Sequence, residues 1–185
     1  MDTIGNFSEG LAVVKLNDKF GVIDKSGREV VPCRYDLVTP FREELARVKL
    51  KGKWGFIDKS GREVIPCRYD GAYDFIEGLA RVELKGKWGF IDKSGREVMP
   101  CRYESAREFR EGLAKVKLNG KWGFIDNSGR EVVPCRYDYV CDSFSEGLVP
   151  VRLNGTYGFV DKSGREVIPR RYGFTGSFRG GFAKV

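Results

Sequence analysis

Residues 41–74 read FREELARVKLKGKWGFIDKSGREVIPCRYDGAYD, and this stretch decides the fold. In its first segment Leu45, Arg47 and Lys49 alternate with Ala46, Val48 and Leu50. That is the period of two expected of a half-buried strand. Lys51-Gly52 follows, and its counterparts Asn119-Gly120 and Asn154-Gly155 are strong signals for two-residue hairpins. Asn and Gly tolerate the positive φ that such a turn demands. Residues 54–57, Trp-Gly-Phe-Ile, suit a second strand on a packed, pleated surface. Asp58-Lys59-Ser60-Gly61 predicts a turn whose carboxylate binds amides ahead of it and whose glycine supplies positive φ. Residues 63–65 form a third strand, stopped or bent at Pro66, because proline cannot donate to a ladder. Residues 67–70 are placed to continue it. No helix-length amphipathic pattern occurs anywhere in the chain.

The stretch is one copy of a repeat. Its opening phenylalanine recurs at Phe7, Phe41, Phe75, Phe109, Phe144 and Phe178, in steps of 34, 34, 34, 35 and 34 residues. The extra residue falls near Cys141. The chain therefore reads as a single array: units at 7–40, 41–74, 75–108, 109–143 and 144–177, a unit tail at 1–6 and a unit head at 178–185. The two partial units are expected to be half-unit caps or pieces of a longer array. The predicted fold is all-β, built of tandem three-stranded antiparallel units. An open solenoid-like or superhelical array is favoured, because residues 7–14 already supply the head strand that 178–185 repeat. A closed propeller-like ring is the alternative, although 34 residues are lean for a propeller blade.

Composition narrows the function. The chain has 185 residues, 41% hydrophobic and 32% charged, with a net charge of +7, so a folded soluble protein is expected. No apolar run approaches the ~18 residues that span a bilayer, so no membrane insertion is expected. There is no His, which removes Ser-His-Asp and Cys-His chemistry. The five cysteines, Cys33, Cys67, Cys101, Cys135 and Cys141, include no C-x-x-C pair. Reduced thiols in the cytoplasm fit them better than a disulfide framework or a zinc site, and no signal peptide opens the chain. Neither metal nor cofactor is expected.

Lys53-Trp54-Gly55-Phe56-Ile57-Asp58, then Gly61, Pro66 and Tyr69, return as Lys87–Asp92 and Lys121–Asp126 with the same spacing. This pattern resembles the bacterial WG-repeat family, named for its Trp-Gly pair, over essentially the whole chain. Phe20 and Tyr157 replace Trp in the first and fifth units, which keeps an aromatic ring before glycine. The resemblance implies an all-β repeat module and interaction rather than chemistry.

Three side-chain rows are candidates. The aromatic row Phe20, Trp54, Trp88, Trp122 and Tyr157, with Gly21, Gly55, Gly89, Gly123 and Gly158, is expected to be structural. Its rings would fill the core and its glycines would allow close backbone approach. An exposed, ligand-stacking strip is the alternative. The first arginine row is Arg28, Arg62, Arg96, Arg130 and Arg165, and the second is Arg34, Arg68, Arg102, Arg136 and Arg171. Both could hold a polyanion. Pairing would also explain them: the first row with Glu29, Glu63, Glu97, Glu131 and Glu166, the second with Asp36, Asp70 and Asp138. An active site needs a unique constellation, and nearly every polar residue here is copied several times. The expectation is a non-enzymatic scaffold presenting an extended surface to a protein. Binding of nucleic acid or an acidic glycan through the arginine and aromatic rows is the alternative.

Overall fold

A computed structural model describes residues 3–185. All regular elements among these are strands, in five four-stranded antiparallel sheets. Sheet 1 holds β1 (Thr3–Ile4), β2 (Leu11–Leu16), β3 (Lys19–Asp24) and β4 (Glu29–Tyr35). Sheet 2 holds β5 (Leu37–Val38), β6 (Leu45–Leu50), β7 (Lys53–Asp58) and β8 (Glu63–Tyr69). Sheet 3 holds β9 (Gly71–Ile76), β10 (Leu79–Leu84), β11 (Lys87–Asp92) and β12 (Glu97–Tyr103). Sheet 4 holds β13 (Ser105–Ala106), β14 (Leu113–Leu118), β15 (Lys121–Asp126) and β16 (Glu131–Tyr137). Sheet 5 holds β17 (Tyr139–Val140), β18 (Leu148–Leu153), β19 (Thr156–Asp161) and β20 (Glu166–Tyr172). Strand order in each sheet follows the chain, and none closes into a barrel. The residues divide into two compact units, one ending at Cys101 and one running from Arg102 to Val185.

The three expected strands are present, the first at its expected bounds and the other two longer, and a fourth joins them. In sheet 2 the added strand is β5, whose residues the Phe-to-Phe phase assigns to the tail of the preceding unit. Each sheet thus borrows its first strand from the connection before it. Three turns join the strands. Lys51 and Gly52 take φ of 50° and 79°, as a two-residue primed hairpin requires. A second such turn follows the repeat-opening phenylalanine, where the sequence reading places no turn. In Phe-x-Glu-Gly-Leu, Glu77 and Gly78 take φ of 53° and 77°. Its hydrogen bonding is clear in sheet 1, where Ser8 and Leu11 exchange both backbone bonds, at 2.8 and 3.0 Å. The third turn is the Asp-x-Ser-Gly turn between the last two strands.

Pro66 bends β8 instead of ending it. Trp54 pairs with Tyr69 and Phe56 with Ile65, so the stretch of β8 between those partners bulges past β7. The bulge lies on Gly55. A Cβ there would stand 2.5 Å from the Ile65 carbonyl oxygen and 2.7 Å from the Cys67 nitrogen. The Trp-Gly pair and the Pro-Cys pair are therefore one feature: glycine makes the room that the bulge fills.

β6 keeps the expected alternation in part, with Ala46 and Val48 buried and Arg47 and Lys49 partly exposed, whereas β7 is buried more completely. Gly55, Phe56 and Ile57 are all buried, because both faces of a sheet are covered by neighbours. In the first unit one core joins Val22, Val31 and Tyr35 of sheet 1 to Val38, Phe41, Ala46, Val48 and Ile57. A second joins Leu45, Phe56, Ile65 and Tyr69 of sheet 2 to Ala72, Phe75, Ala80, Val82 and Ile91. The repeat-opening phenylalanine locks successive sheets together. Phe56 meets Phe75 edge to face at 4.9 Å, and within the second unit Phe124 meets Phe144 at 5.0 Å. Such a ring contributes about 1.5–3 kcal/mol through burial alone.

Candidate interaction surface

Each sheet presents two exposed elements, the Asp-x-Ser-Gly-Arg turn and its outermost long strand. In the turn after β7, Asp58 Oδ1 accepts from the Ser60 amide at 2.9 Å, the Ser60 hydroxyl at 2.6 Å and the Arg62 amide at 3.1 Å. Asp58 Oδ2 accepts from Arg62 Nε at 3.1 Å. The same set recurs at Asp24, Asp92, Asp126 and Asp161. The serine hydroxyl first, and then the amides and the guanidinium, hold the Asp24 and Asp92 carboxyls down to about 2. So the first arginine row is paired, though with the turn aspartate four residues back and not with the adjoining glutamate. The reason is geometric: the turn folds the chain back onto Asp, while Glu29 and Glu131 point at the bulge and accept from the Cys33 and Cys135 amides at 3.1 Å. The first-row side chains stay 76–78% exposed.

The second row is held differently. Arg34, Arg68, Arg102, Arg136 and Arg171 each donate from Nη2 to the hydroxyl of the following tyrosine, at 2.9, 2.7, 3.1, 3.0 and 3.2 Å. Each guanidinium lies over that ring, 4.9–5.3 Å from its centroid. The rings of Tyr35, Tyr69, Tyr103 and Tyr137 are fully buried, so each of these exposed arginines has its guanidinium held by a fixed ring. The expected partners Asp36, Asp70 and Asp138 are taken by Lys19, Lys53 and Lys121. These carboxylates also receive turn amides, as Asp138 does from Asn154 at 2.8 Å. The second row thus donates to a neutral hydroxyl, with Glu97 4.0 Å from Arg68 as a longer-range carboxylate, while the first row is bonded directly to a carboxylate.

A third cationic row lies inside the fold. Arg47, Arg81 and Lys115 occupy the same place on β6, β10 and β14, opposite Phe56, Phe90 and Phe124. Arg81 and Lys115 are only 9% and 6% exposed. Arg47 donates to the Ala72 carbonyl at 2.8 Å and pairs with Asp74 at 2.6 Å, which ties sheet 2 to sheet 3. Lys115 likewise donates to the Val140 carbonyl at 2.6 Å and pairs with Asp142 at 2.7 Å. Their tryptophans cover them: Arg47 lies 5.3 Å from the Trp54 ring, Arg81 4.8 Å from Trp88 and Lys115 4.4 Å from Trp122. The tryptophans are half-buried lids over interior cations, and the fully buried rings of the pattern are Phe56, Phe90 and Phe159. Phe20 and Tyr157 are half-buried too, while Gly21, Gly55, Gly89, Gly123 and Gly158 are buried under their bulges. Charge alternation along a strand looks the same for a solvated face as for a salt-bridged interior one, so this row left no distinct signal.

Burial pushes the Cys67 and Cys101 thiols up to about 11 and that of Cys135 to about 12. Among the described residues no group of Cys, Asp and Glu could hold a metal ion. Among the described residues no helix is long and apolar enough to cross a membrane.

A sheet built around an aromatic-Gly pair under a Pro bulge, repeated in tandem, defines a β-repeat protein. The family model for the WG containing repeat matches residues 2–20, 20–54, 54–88, 88–122, 122–157 and 157–185, and the chain belongs to that family. Among proteins with curated descriptions, none matches the sequence. Solved structures that it resembles include Kluyveromyces lactis Hsv2, with a TM-score of 0.47, 10% identity, and coverage of 91% of this chain and 63% of that one. The WD40 β-propeller domain of Doa1 follows at TM-score 0.38 and 11% identity, covering 89% and 66% of the two chains. The AfRom2 CNH domain gives a TM-score of 0.42 at 9% identity, covering 88% and 68%. The chain thus spans under two thirds of the Hsv2 structure.

Proposed function

We propose that this repeat protein is a non-enzymatic scaffold that binds a protein partner through the exposed turns and outer strands of its sheets. The second arginine row carries this reading. It repeats in all five sheets, its guanidinium groups are held by tyrosine hydroxyls, and its side chains remain exposed. Fixing a long side chain in advance lowers the entropy that binding costs. The partner surface is accordingly acidic. The test is affinity capture with cross-linking from the native source, using the intact chain beside a variant with Arg34, Arg68, Arg136 and Arg171 changed to Gln. A protein held by the first and lost from the second supports the scaffold. Equal retention by both refutes the assignment to this row.

The +7 net charge and the same row favour a second reading, a polyanion-binding module. Nucleic acid or acidic glycan that remains bound at ~150 mM salt would support it, since purely non-specific charge contacts weaken steeply with salt.

A further inference from the structure

The repeat changes in two places between sheets 4 and 5. The amides of Gly5, Thr39, Arg107, Cys141 and Gly176 make the same backbone bond in successive units, and of these residues only Arg107 is charged. Ser143 is the one extra residue of the array. Val140 and Asp142 meet Lys115 as Ala72 and Asp74 meet Arg47, so the addition falls between Asp142 and Phe144. Residues copied in every unit answer to how the sheets pack, whereas these two departures do not recur. The fold brings both to the lining of one cleft, of about 470 Å³.

Charge in this cleft does not balance. Lys115 pairs with Asp142 at 2.7 Å, Arg110 with Glu108 at 2.8 Å and Lys162 with Glu111 at 2.6 Å. Arg107 is the remaining cation of the lining, and its guanidinium has no ion-pair or hydrogen-bond partner among the described residues. The lining thus carries one positive charge in excess. Asp142 shows what group these cations accept. The hydrogen bond from Lys115 first, against a cost of burial, and then the charges of Lys115, Arg107 and Arg110 hold its carboxyl below the usual range. Leu113, Phe124 and Phe144 supply an apolar wall. The cleft at the corresponding place between sheets 1 and 2 is nearly as large, about 430 Å³, and no charged side chain lines it.

We propose that the cleft between sheets 4 and 5 binds a small organic carboxylate, which pairs with Arg107 and lays its aliphatic stem on Leu113, Phe124 and Phe144. A single carboxylate balances the excess charge, and a guanidinium presents it with two parallel N–H donors. A neutral ligand leaves Arg107 without a counter-charge. A phosphate dianion overcharges a lining that already holds Glu108, Glu111 and Asp142. The Ser143 hydroxyl, exposed at the insertion, offers a further donor. The site goes beyond the scaffold reading and does not depend on it.

The test is an NMR titration of the intact chain with isovalerate, near neutral pH and at fixed ionic strength, beside its uncharged counterpart isovaleramide and inorganic phosphate. Saturable shifts are expected at the Leu113 methyls and the Arg107 guanidinium with isovalerate. The amide is expected to bind at least about threefold more weakly, as loss of one exposed ion pair implies. Phosphate is expected to bind more weakly than isovalerate as well, because it brings excess charge and no apolar stem. Arg107→Gln alters an exposed side chain without a partner, so the chain should fold as before and lose about threefold or more in affinity for isovalerate. Shifts that never saturate, shifts centred on Val13 and Val22 of the uncharged cleft, equal binding of the amide or of phosphate, or undiminished binding to Arg107→Gln would each overturn the proposal.

Discussion

Gly27 and Gly61 sit at the same place in the same turn, with φ of 82° and 83°, yet their surroundings differ. A Cβ on Gly27 would meet nothing within 4 Å, whereas one on Gly61 would stand 2.7 Å from the Val30 carbonyl oxygen and 3.0 Å from a Val31 methyl. Replacing each by alanine separates backbone conformation from sheet-to-sheet packing. The left-handed φ costs an L-residue about 1–2 kcal/mol. Stiffening the unfolded chain returns about 0.4–1 kcal/mol of that. Gly27→Ala should therefore destabilise by about 1 kcal/mol. Gly61→Ala adds an overpacking cost of typically about 1–3 kcal/mol, because the obstructing atom is backbone and cannot rotate away. Its total should reach about 2–4 kcal/mol. Urea unfolding followed by far-ultraviolet circular dichroism measures both. Equal losses within about 0.5 kcal/mol would refute the claim that this turn is wedged against the preceding sheet, since surface changes normally fall within that range.

Further outcomes follow from the same geometry. Glu44 takes φ of 73° where Gly10, Gly78, Gly112 and Gly147 stand in the other units, so Glu44→Gly should raise the unfolding free energy measured in urea by up to about 1 kcal/mol. The turn carboxyls are held below their ordinary range, those of Asp24 and Asp92 at about 2. Their contribution is complete above the unfolded carboxyl pKa and is lost as pH falls through the folded value. Thermal midpoints should accordingly drop between about pH 4 and pH 2, and Asp92→Asn should flatten that slope. Cys67, Cys101 and Cys135, with thiols pushed up to about 11, 11 and 12, should react with iodoacetamide at pH 8 far more slowly in the folded chain than in urea. Mass spectrometry of the labelled peptides reads this directly.

Much of the fold is legible in residues 41–74. Lys51-Gly52 and the Asp-Lys-Ser-Gly turn carry their φ requirements in their residue types, and the structure forms both turns. Glycine beside tryptophan announces close backbone approach, and the bulge at Pro66 supplies the approaching chain. Other features were hidden for physical reasons. Glu77-Gly78 makes a primed hairpin although glutamate rarely adopts positive φ, so its residue type argues against the turn it forms. The alternation of Arg47 and Lys49 with apolar residues satisfies a solvated face and a salt-bridged interior alike, and only the partners Ala72 and Asp74 in the next sheet distinguish them. The partner of Arg62 depends on how tightly its turn closes, which adjacency to Glu63 does not reveal.

The arginines divide into those that hold sheets together and those paired on exposed turns, and one comparison of stabilities tests that division. Arg47→Met keeps the stem over Trp54 but removes the bonds to Ala72 and Asp74. Leaving buried polar partners unsatisfied typically costs about 1–3 kcal/mol. Arg62→Met removes an exposed guanidinium on its turn aspartate, and surface pairs of that kind are worth about 0–1 kcal/mol. In urea unfolding the account expects Arg47→Met to lose at least about 1 kcal/mol more than Arg62→Met. Equal losses, or a larger loss at Arg62, would contradict it.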